Sequence, residues 1–134
     1  MSDPDSLNLD QLASRTMRHA DQLREVSRRF HGYEDPDTKQ KFTGVKLRFE
    51  EALDDALDAL VTPYEAEGKR PPAEDIRAAR ARQSVKRKHP DLYDEYHVLD
   101  ATMRRIQRWL RDADSAIRAR QSVLKTEREM ATHG

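Results

Sequence analysis

The densest cluster of basic side chains lies between Lys69 and Lys88, a segment with eight basic residues and two acidic ones. Basic side chains crowded in this way repel one another, and binding a polyanion relieves the repulsion while releasing the polyanion's counterions. No zinc-finger, RNP or convincing helix-turn-helix pattern accompanies them, so we expect salt-sensitive binding with little sequence preference. The predicted nucleic-acid contacts are Lys69, Arg70, Arg77, Arg80, Arg82, Lys86, Arg87 and Lys88.

A second basic group is defined by spacing rather than by density. It comprises Arg104, Arg108, Arg111 and Arg118, whose intervals of four, three and seven place them on one narrow arc of a helix. Guanidinium groups pair bidentately with phosphate oxygens, so this arginine stripe is a second predicted phosphate-contacting surface. The alternative interpretation is an ordinary solvated helix face. Three aromatic residues near the basic segment are candidates for stacking on bases, although the last of them also fits a core position: Tyr64, Tyr93 and Tyr96.

Acidic residues one helical turn apart suggest a different chemistry. Glu51, Asp54, Asp55 and Asp58 are spaced to hold Mg²⁺, a weak similarity to all-α nucleoside-triphosphate pyrophosphohydrolases. Such a site needs a second acidic pair, and the remaining candidates around Asp94 match it poorly. His89 and His97 straddle a proline without an HExxH pattern. We therefore expect no enzyme activity, no metal site and no cofactor, and assign the carboxylates an electrostatic role.

Composition limits the architecture that carries these groups. The chain has 134 residues, 36% of them hydrophobic and 37% charged, with a mean hydropathy of −1.02 and few Gly or Pro. These values favour a single all-α domain of three to four helices over a large globular core. Without cysteine there is no disulfide framework. No apolar run approaches the roughly 18 residues of a membrane span, so we expect no membrane association and a cytoplasmic location.

Helix-start and helix-stop residues divide the chain into four helical segments. Asn8, with Gln11 at the capping-box position, predicts a helix over 8–31. Asp35-Pro36 predicts a second helix over 36–61, followed by a linker over 62–72 that contains two adjacent prolines. A basic helical segment over 73–88 ends at His89-Pro90. The last helix is predicted over 91–131.

The last helix carries a long heptad seam. Its apolar residues alternate steps of four and three for more than four heptads, which is typical of a helical bundle or coiled coil. Arg120 interrupts the seam; it either specifies a partner or marks the point where the seam ends. We expect homo-oligomerisation through Leu99, Met103, Ile106, Trp109, Leu110, Ala113, Ile117 and Leu124.

One stretch of this helix resembles a known family. The segment YDEYHVLDATMRRIQRWLRDADSAIRARQSVLKTE, residues 93–127, is similar to the C-terminal helix of UvsY-like recombination mediators of tailed bacteriophages. Ala116, Ile117 and Arg120 match a small-aliphatic element near the end of that helix. Upstream, VKLRFEEAL resembles a K-x-R element that those mediators use on single-stranded DNA, with Lys46 and Arg48 at the matching positions.

The resemblance implies a non-enzymatic, ring-forming protein that binds single-stranded DNA. Such a protein would load a strand-exchange recombinase onto DNA covered by single-strand-binding protein. The acidic run after Arg48 and the basic segment 69–88 depart from the family pattern and shift the expected DNA contact towards the later cluster. Alternatives are a structural or partner-binding coiled-coil protein, a double-stranded-DNA-binding regulator and the pyrophosphohydrolase.

Overall fold

The computed structural model describes residues 2–133 and is 81% helical, which confirms the all-α class. Its helices are α1 (Leu9–His31), α2 (Val45–Ala66), α3 (Glu74–Lys88) and α4 (Pro90–His133). A 3₁₀ turn (Pro4–Ser6) precedes α1, and a hairpin of β1 (Gly32–Glu34) and β2 (Lys41–Thr43) connects α1 to α2. None of the helices described is long and apolar enough to cross a membrane.

Contacts within the chain group it into two compact units, and a single domain stays a prediction. Unit 1 contains the residues up to Val26 together with those from Thr102 onward. Unit 2 contains Ser27–Ala101. Each unit therefore has part of α1, part of α4 and its own core.

Unit 1 is built on the apolar faces of α1 and α4. The predicted capping box forms: the Asn8 N–H donates to Gln11 Oε1 at 3.0 Å, and the Gln11 N–H donates to Asn8 Oδ1 at 2.8 Å. Leu12 is completely buried beside the Trp109 ring, whose Nε1–H donates to the Ser2 carbonyl at 2.6 Å. A buried indole needs such an acceptor, so this hydrogen bond fixes the N-terminal segment on α4. The core cluster is Leu7, Leu12, Trp109, Ala113 and Ala116.

Unit 2 has an aromatic centre. The Phe49 and Tyr96 rings stack with centroids 4.0 Å apart, and Phe30 lies 5.3 Å from the same tyrosine. α3 packs on α2, and its buried side chains are Ala81 and Val85. These two positions are one helical turn apart, so they determine which side chains of α3 face away from α2.

The helix predicted over 36–61 begins instead at Val45, because residues 32–43 form the hairpin. Asp35-Pro36 is also a turn signal, and here the Asp35 carboxylate accepts the N–H groups of Asp37 (2.9 Å) and Thr38 (3.1 Å). Gly32 has φ +80°, and a Cβ at Gly44 would overlap the Phe30 carbonyl. The hairpin therefore depends on glycine at both of its ends.

The predicted linker over 62–72 is also shorter in the structure. α2 continues through Pro63 to Ala66, so the proline costs the helix one hydrogen bond without ending it. Gly68, with φ +68°, ends the helix, and the Lys69 N–H donates to the Tyr64 carbonyl at 2.8 Å. Downstream, α3 ends at Lys88 and Pro90 is the first residue of α4.

Candidate nucleic-acid interface

Arg80 and Arg87 lie seven residues apart on α3, which places them on the same flank of the helix. The packing of Ala81 and Val85 on α2 turns that flank towards the edge of the α2–α3 contact. There both arginines line an open cavity of about 330 Å³. We call this cavity the α2–α3 cleft, and its lining residues are Ala56, Ala59, Leu60, Arg80, Gln83, Ser84 and Arg87.

The chemistry of the α2–α3 cleft suits an anion. Three of its lining residues are apolar, and its polar groups are two guanidinium groups, an amide and a hydroxyl. None of the described residues that line it is acidic. Neither Arg80 nor Arg87 forms an ion pair within the part of the chain that the structure describes. Both guanidinium groups are exposed and therefore accessible to an oxyanion.

A neighbouring cavity, also of about 330 Å³, has a mixed lining. Arg48 and Lys88, which are 40 positions apart in the sequence, both line it, so the structure brings two predicted contacts together. Glu51 and Asp55 line the same cavity and offset that positive charge. The two cavities share Ala56 and Ser84. Of the two, the α2–α3 cleft is the more favourable site for a phosphate.

Lys46 and Arg48, which carry the resemblance to recombination mediators, lie in the first turn of α2. Lys46 is half-buried, and Arg48 Nη2 lies 3.7 Å from Glu95 Oε2, with Arg29 Nη2 3.5 Å from the other oxygen of that carboxylate. Compared with known proteins, the chain matches no family model, no curated protein and no solved structure. Membership of the mediator family stays a prediction.

The other basic residues of the segment 69–88 lie on α3 or just before it. Lys69 pairs with Glu67 at 3.0 Å, and the Lys86 ammonium lies 5.6 Å from the centroid of the Tyr93 ring. Arg77 is half-buried, whereas Arg70, Arg82 and Lys86 are exposed. Among the described residues, no acidic group lies within ion-pair distance of Arg70, Arg77, Arg80, Arg82, Lys86, Arg87 or Lys88. Most of the positive charge predicted for this segment therefore remains available.

The arginine stripe occupies the exposed face of α4 in unit 1, opposite the buried Trp109 and Ala113. Arg118 Nε lies 3.2 Å from Asp114 Oδ2 one turn earlier, which reduces the charge at that end of the stripe. The structure exposes all four members of the predicted stripe: Arg104, Arg108, Arg111 and Arg118.

Most residues assigned to oligomerisation are buried inside their own chain. Leu110 and Ile117 are half-buried, and Leu124 remains 41% exposed. Arg120 donates to the Asp5 carbonyl at 2.8 Å and so holds the 3₁₀ turn, a role that neither sequence interpretation included. A heptad seam predicts that a helix will be covered but not by which chain. The assigned residues already buried are Leu99, Met103, Ile106, Trp109 and Ala113.

The aromatic residues predicted to stack on bases are engaged within the protein. Tyr96 stacks on Phe49, and the Tyr93 ring lies 4.4 Å from the His97 ring, while Tyr64 is half-buried. The exposed aromatic side chains are instead Tyr33 and Phe42 of the hairpin, 39% and 40% exposed. Sequence reasoning missed them because the segment was assigned partly to a helix. The available signal was a polar turn with an aromatic residue on each side, bounded by glycines.

The acidic residues of α2 do not assemble a metal site. Glu51 and Asp55 line the mixed cavity beside basic groups. Among the side chains that the structure describes, residues 2–132, no cluster of three or more His, Asp or Glu is placed to hold a metal ion.

Proposed function

We propose that this protein binds single-stranded DNA, with the α2–α3 cleft as the principal contact for the phosphate backbone. One observation carries the proposal: Arg80 and Arg87 line the same cleft, and none of the described residues that line it with them is acidic. The proposal keeps two of the eight contacts predicted in the segment 69–88 as the main site. The other basic residues of α3 extend its positive field.

The physical basis is electrostatic. A guanidinium group offers a planar pair of N–H donors that matches two phosphate oxygens. The apolar side chains of Ala56, Ala59 and Leu60 line the α2–α3 cleft together with the two arginines. A low-dielectric lining of this kind concentrates the electric field of the charges beside it. Backbone contact of this kind carries no base sequence information. Binding should therefore depend on salt and vary little among sequences.

Self-association would multiply a weak site. The apolar residues that α4 leaves exposed near its end are Val123 (57%), Leu124 (41%) and Met130 (69%). We propose these residues, rather than the buried part of the seam, as the contact between copies. A symmetric oligomer repeats each phosphate site, and avidity then strengthens modest individual contacts.

The resemblance stated above suggests the biological role. We propose a non-enzymatic, cytoplasmic recombination mediator, which helps a strand-exchange recombinase replace single-strand-binding protein on DNA. The exposed end of α4 also fits a second candidate, a structural or scaffolding protein that binds a partner helix. The two differ in whether the chain itself binds single-stranded DNA.

The test is the affinity for a fluorescein-labelled oligo-dT, measured by anisotropy across a salt series. The wild-type affinity should fall linearly with salt on logarithmic axes. In the double variant R80E/R87E the affinity should fall by an order of magnitude or more. Its salt slope should fall by about 1.4, since each phosphate contact on a single strand contributes roughly 0.7.

The matched control is R108E/R111E, which makes the same change in charge on the exposed face of α4. We expect this variant to lose less affinity than R80E/R87E, because its arginines lie outside the α2–α3 cleft. No binding by the wild-type protein at low salt would reject the proposed function and favour the scaffolding candidate. Equal losses in the two variants would reject the α2–α3 cleft as the principal site.

A further inference from the structure

The hairpin presents two aromatic rings on one face of a very short sheet. Tyr33 and Phe42 are directly opposite in the antiparallel register, so their side chains project to the same side. Their rings stack with centroids 4.7 Å apart and planes 19° from parallel. Exposed cross-strand aromatic pairs stabilise hairpins, but this pair remains about two-fifths accessible to solvent.

A cation completes the arrangement on one side. The Arg28 guanidinium lies 4.1 Å from the centroid of the Tyr33 ring. The Tyr33 ring thus contacts both Arg28 and Phe42, and we call these three side chains the column. Within the part of the chain that the structure describes, the ring contact of Phe42 is with Tyr33 alone. Phe42 is also 40% exposed, so we take its outer face, the one away from Tyr33, as the surface open to a ligand.

The backbone holds this column in place before any ligand arrives. A Cβ at Gly32 would overlap the Phe42 carbonyl, so the two strands approach more closely there than a side chain permits. The Asp35 N–H donates to the Gln40 carbonyl at 2.8 Å and closes the turn. A ligand that stacks on Phe42 therefore costs little conformational entropy in ordering the two rings, which favours binding.

The size of the platform selects its occupant. Two rings on three-residue strands offer far less area than the roughly 800 Å² per partner of a standard protein interface. The strands are also too short to add a peptide strand along the sheet edge. A pyrimidine base is one six-membered ring, about the size of the Phe42 ring, and every base has a π-face that can stack.

We infer that the outer face of Phe42 stacks on a base of single-stranded DNA, an inference that rests on the proposed function. The hairpin then supplies the contact to bases, and the α2–α3 cleft supplies the contact to phosphates. Stacking of this kind accepts any base, which agrees with binding that has little sequence preference.

The experiment compares two probes of equal length and backbone charge, an oligo-dT and an abasic oligonucleotide. Phe42→Leu keeps an apolar side chain but removes the ring. It should weaken oligo-dT binding by roughly fivefold or more and leave abasic binding and the salt slope unchanged. Phe42→Tyr restores the ring and should bind like the wild type. Met17→Ala, at an exposed apolar position on α1, is the control for a surface substitution.

The outcomes separate the two proposals. If wild type binds oligo-dT and Phe42→Leu binds it equally well, stacking is rejected while the proposed function stands. Equal losses in Phe42→Leu and Phe42→Tyr, or an equal loss on the abasic probe, also reject stacking. If wild type binds neither probe at low salt, both proposals fail.

Discussion

The flank of α3 and the outer face of α4 both carry arginines at helical spacing, but they differ in what surrounds them. Arg80 and Arg87 border the α2–α3 cleft, which apolar residues of α2 also line, and none of its described lining residues is acidic. Arg108 and Arg111 lie on an exposed helix face, and Arg118 on the same face pairs with Asp114. One group borders a concave surface built by two helices, whereas the other projects from a single helix into solvent.

The difference shows that spacing alone does not identify an anion site. Intervals of three, four and seven residues show only which side chains share a helix face. Whether that face concentrates a field depends on the neighbouring helix and its charges. The same reasoning applies to the apolar side of α4, where Trp109 and Ala113 are covered by their own chain.

The most damaging change should be Trp109→Ala, which tests whether the seam of α4 is a core. Removing a 95% buried indole should lower the free energy of unfolding by about 3–5 kcal/mol. Met17→Ala, at an exposed apolar position of α1, should cost no more than about 0.5 kcal/mol. Urea unfolding followed by circular dichroism measures both. Similar small costs would mean that the seam is not buried within the chain.

A carboxylate placed in the α2–α3 cleft should weaken DNA binding. Ala59 is exposed and lines the α2–α3 cleft, so Ala59→Glu brings a negative charge beside Arg80 and Arg87 with little cost in stability. We expect roughly a tenfold loss of affinity for oligo-dT, equivalent to about 1.4 kcal/mol. Ala79→Glu makes the same change at an exposed position of α3 outside the lining. If both variants lose the same affinity, net charge matters and the α2–α3 cleft does not.

Self-association should depend on the exposed end of α4. Leu124→Glu places a charge in the proposed contact between copies and should shift sedimentation towards monomer at a given concentration. The control is Met17→Glu, at an exposed apolar position near the middle of α1. A wild-type protein that sediments as a monomer at high concentration would contradict the oligomer proposal directly.

The smallest effect concerns the hairpin turn. The backbone N–H groups of Thr38 and Asp37 hold the pKa of the Asp35 carboxyl below its ordinary value of 3.8. The ionised carboxylate therefore stabilises the turn above pH 3.8, and this contribution is lost as the pH falls through the lowered pKa. The Thr38 amide shift, followed by NMR, should titrate below pH 3.8 in the wild type. In Asp35→Asn that titration should disappear; its persistence would contradict the assignment.

Local signals in the sequence predicted local features, and long-range pairing decided the rest. The capping box at Asn8 could be read directly, because its partners are three residues apart. Asp35-Pro36 was ambiguous, since an aspartate before a proline can start a helix or a turn, and only Gly32 and Gly44 together distinguish a hairpin. The end predicted for the second helix, residue 61, is wrong, since α2 continues through Pro63 to Ala66.

The candidate site, too, is only partly predictable from the sequence. Crowding of basic residues in the segment 69–88 identified Arg80 and Arg87 as candidates. The α2–α3 cleft itself also requires Ala56, Ala59 and Leu60, at least 20 positions earlier, and no periodicity within α3 reveals that contact. The seam likewise predicted burial of Trp109 but could not show that its cover, Leu7 and Leu12, belongs to the same chain.

We propose that the α2–α3 cleft, rather than the arginine stripe, holds the phosphate backbone. NMR of the arginine Nε–H groups during titration with a short oligo-dT tests it most directly, since it locates the contact without any substitution. We expect the signals of Arg80 and Arg87 to shift and saturate first, while those of Arg108 and Arg111 move little. Shifts of Arg108 and Arg111 with unchanged signals from Arg80 and Arg87 would contradict it.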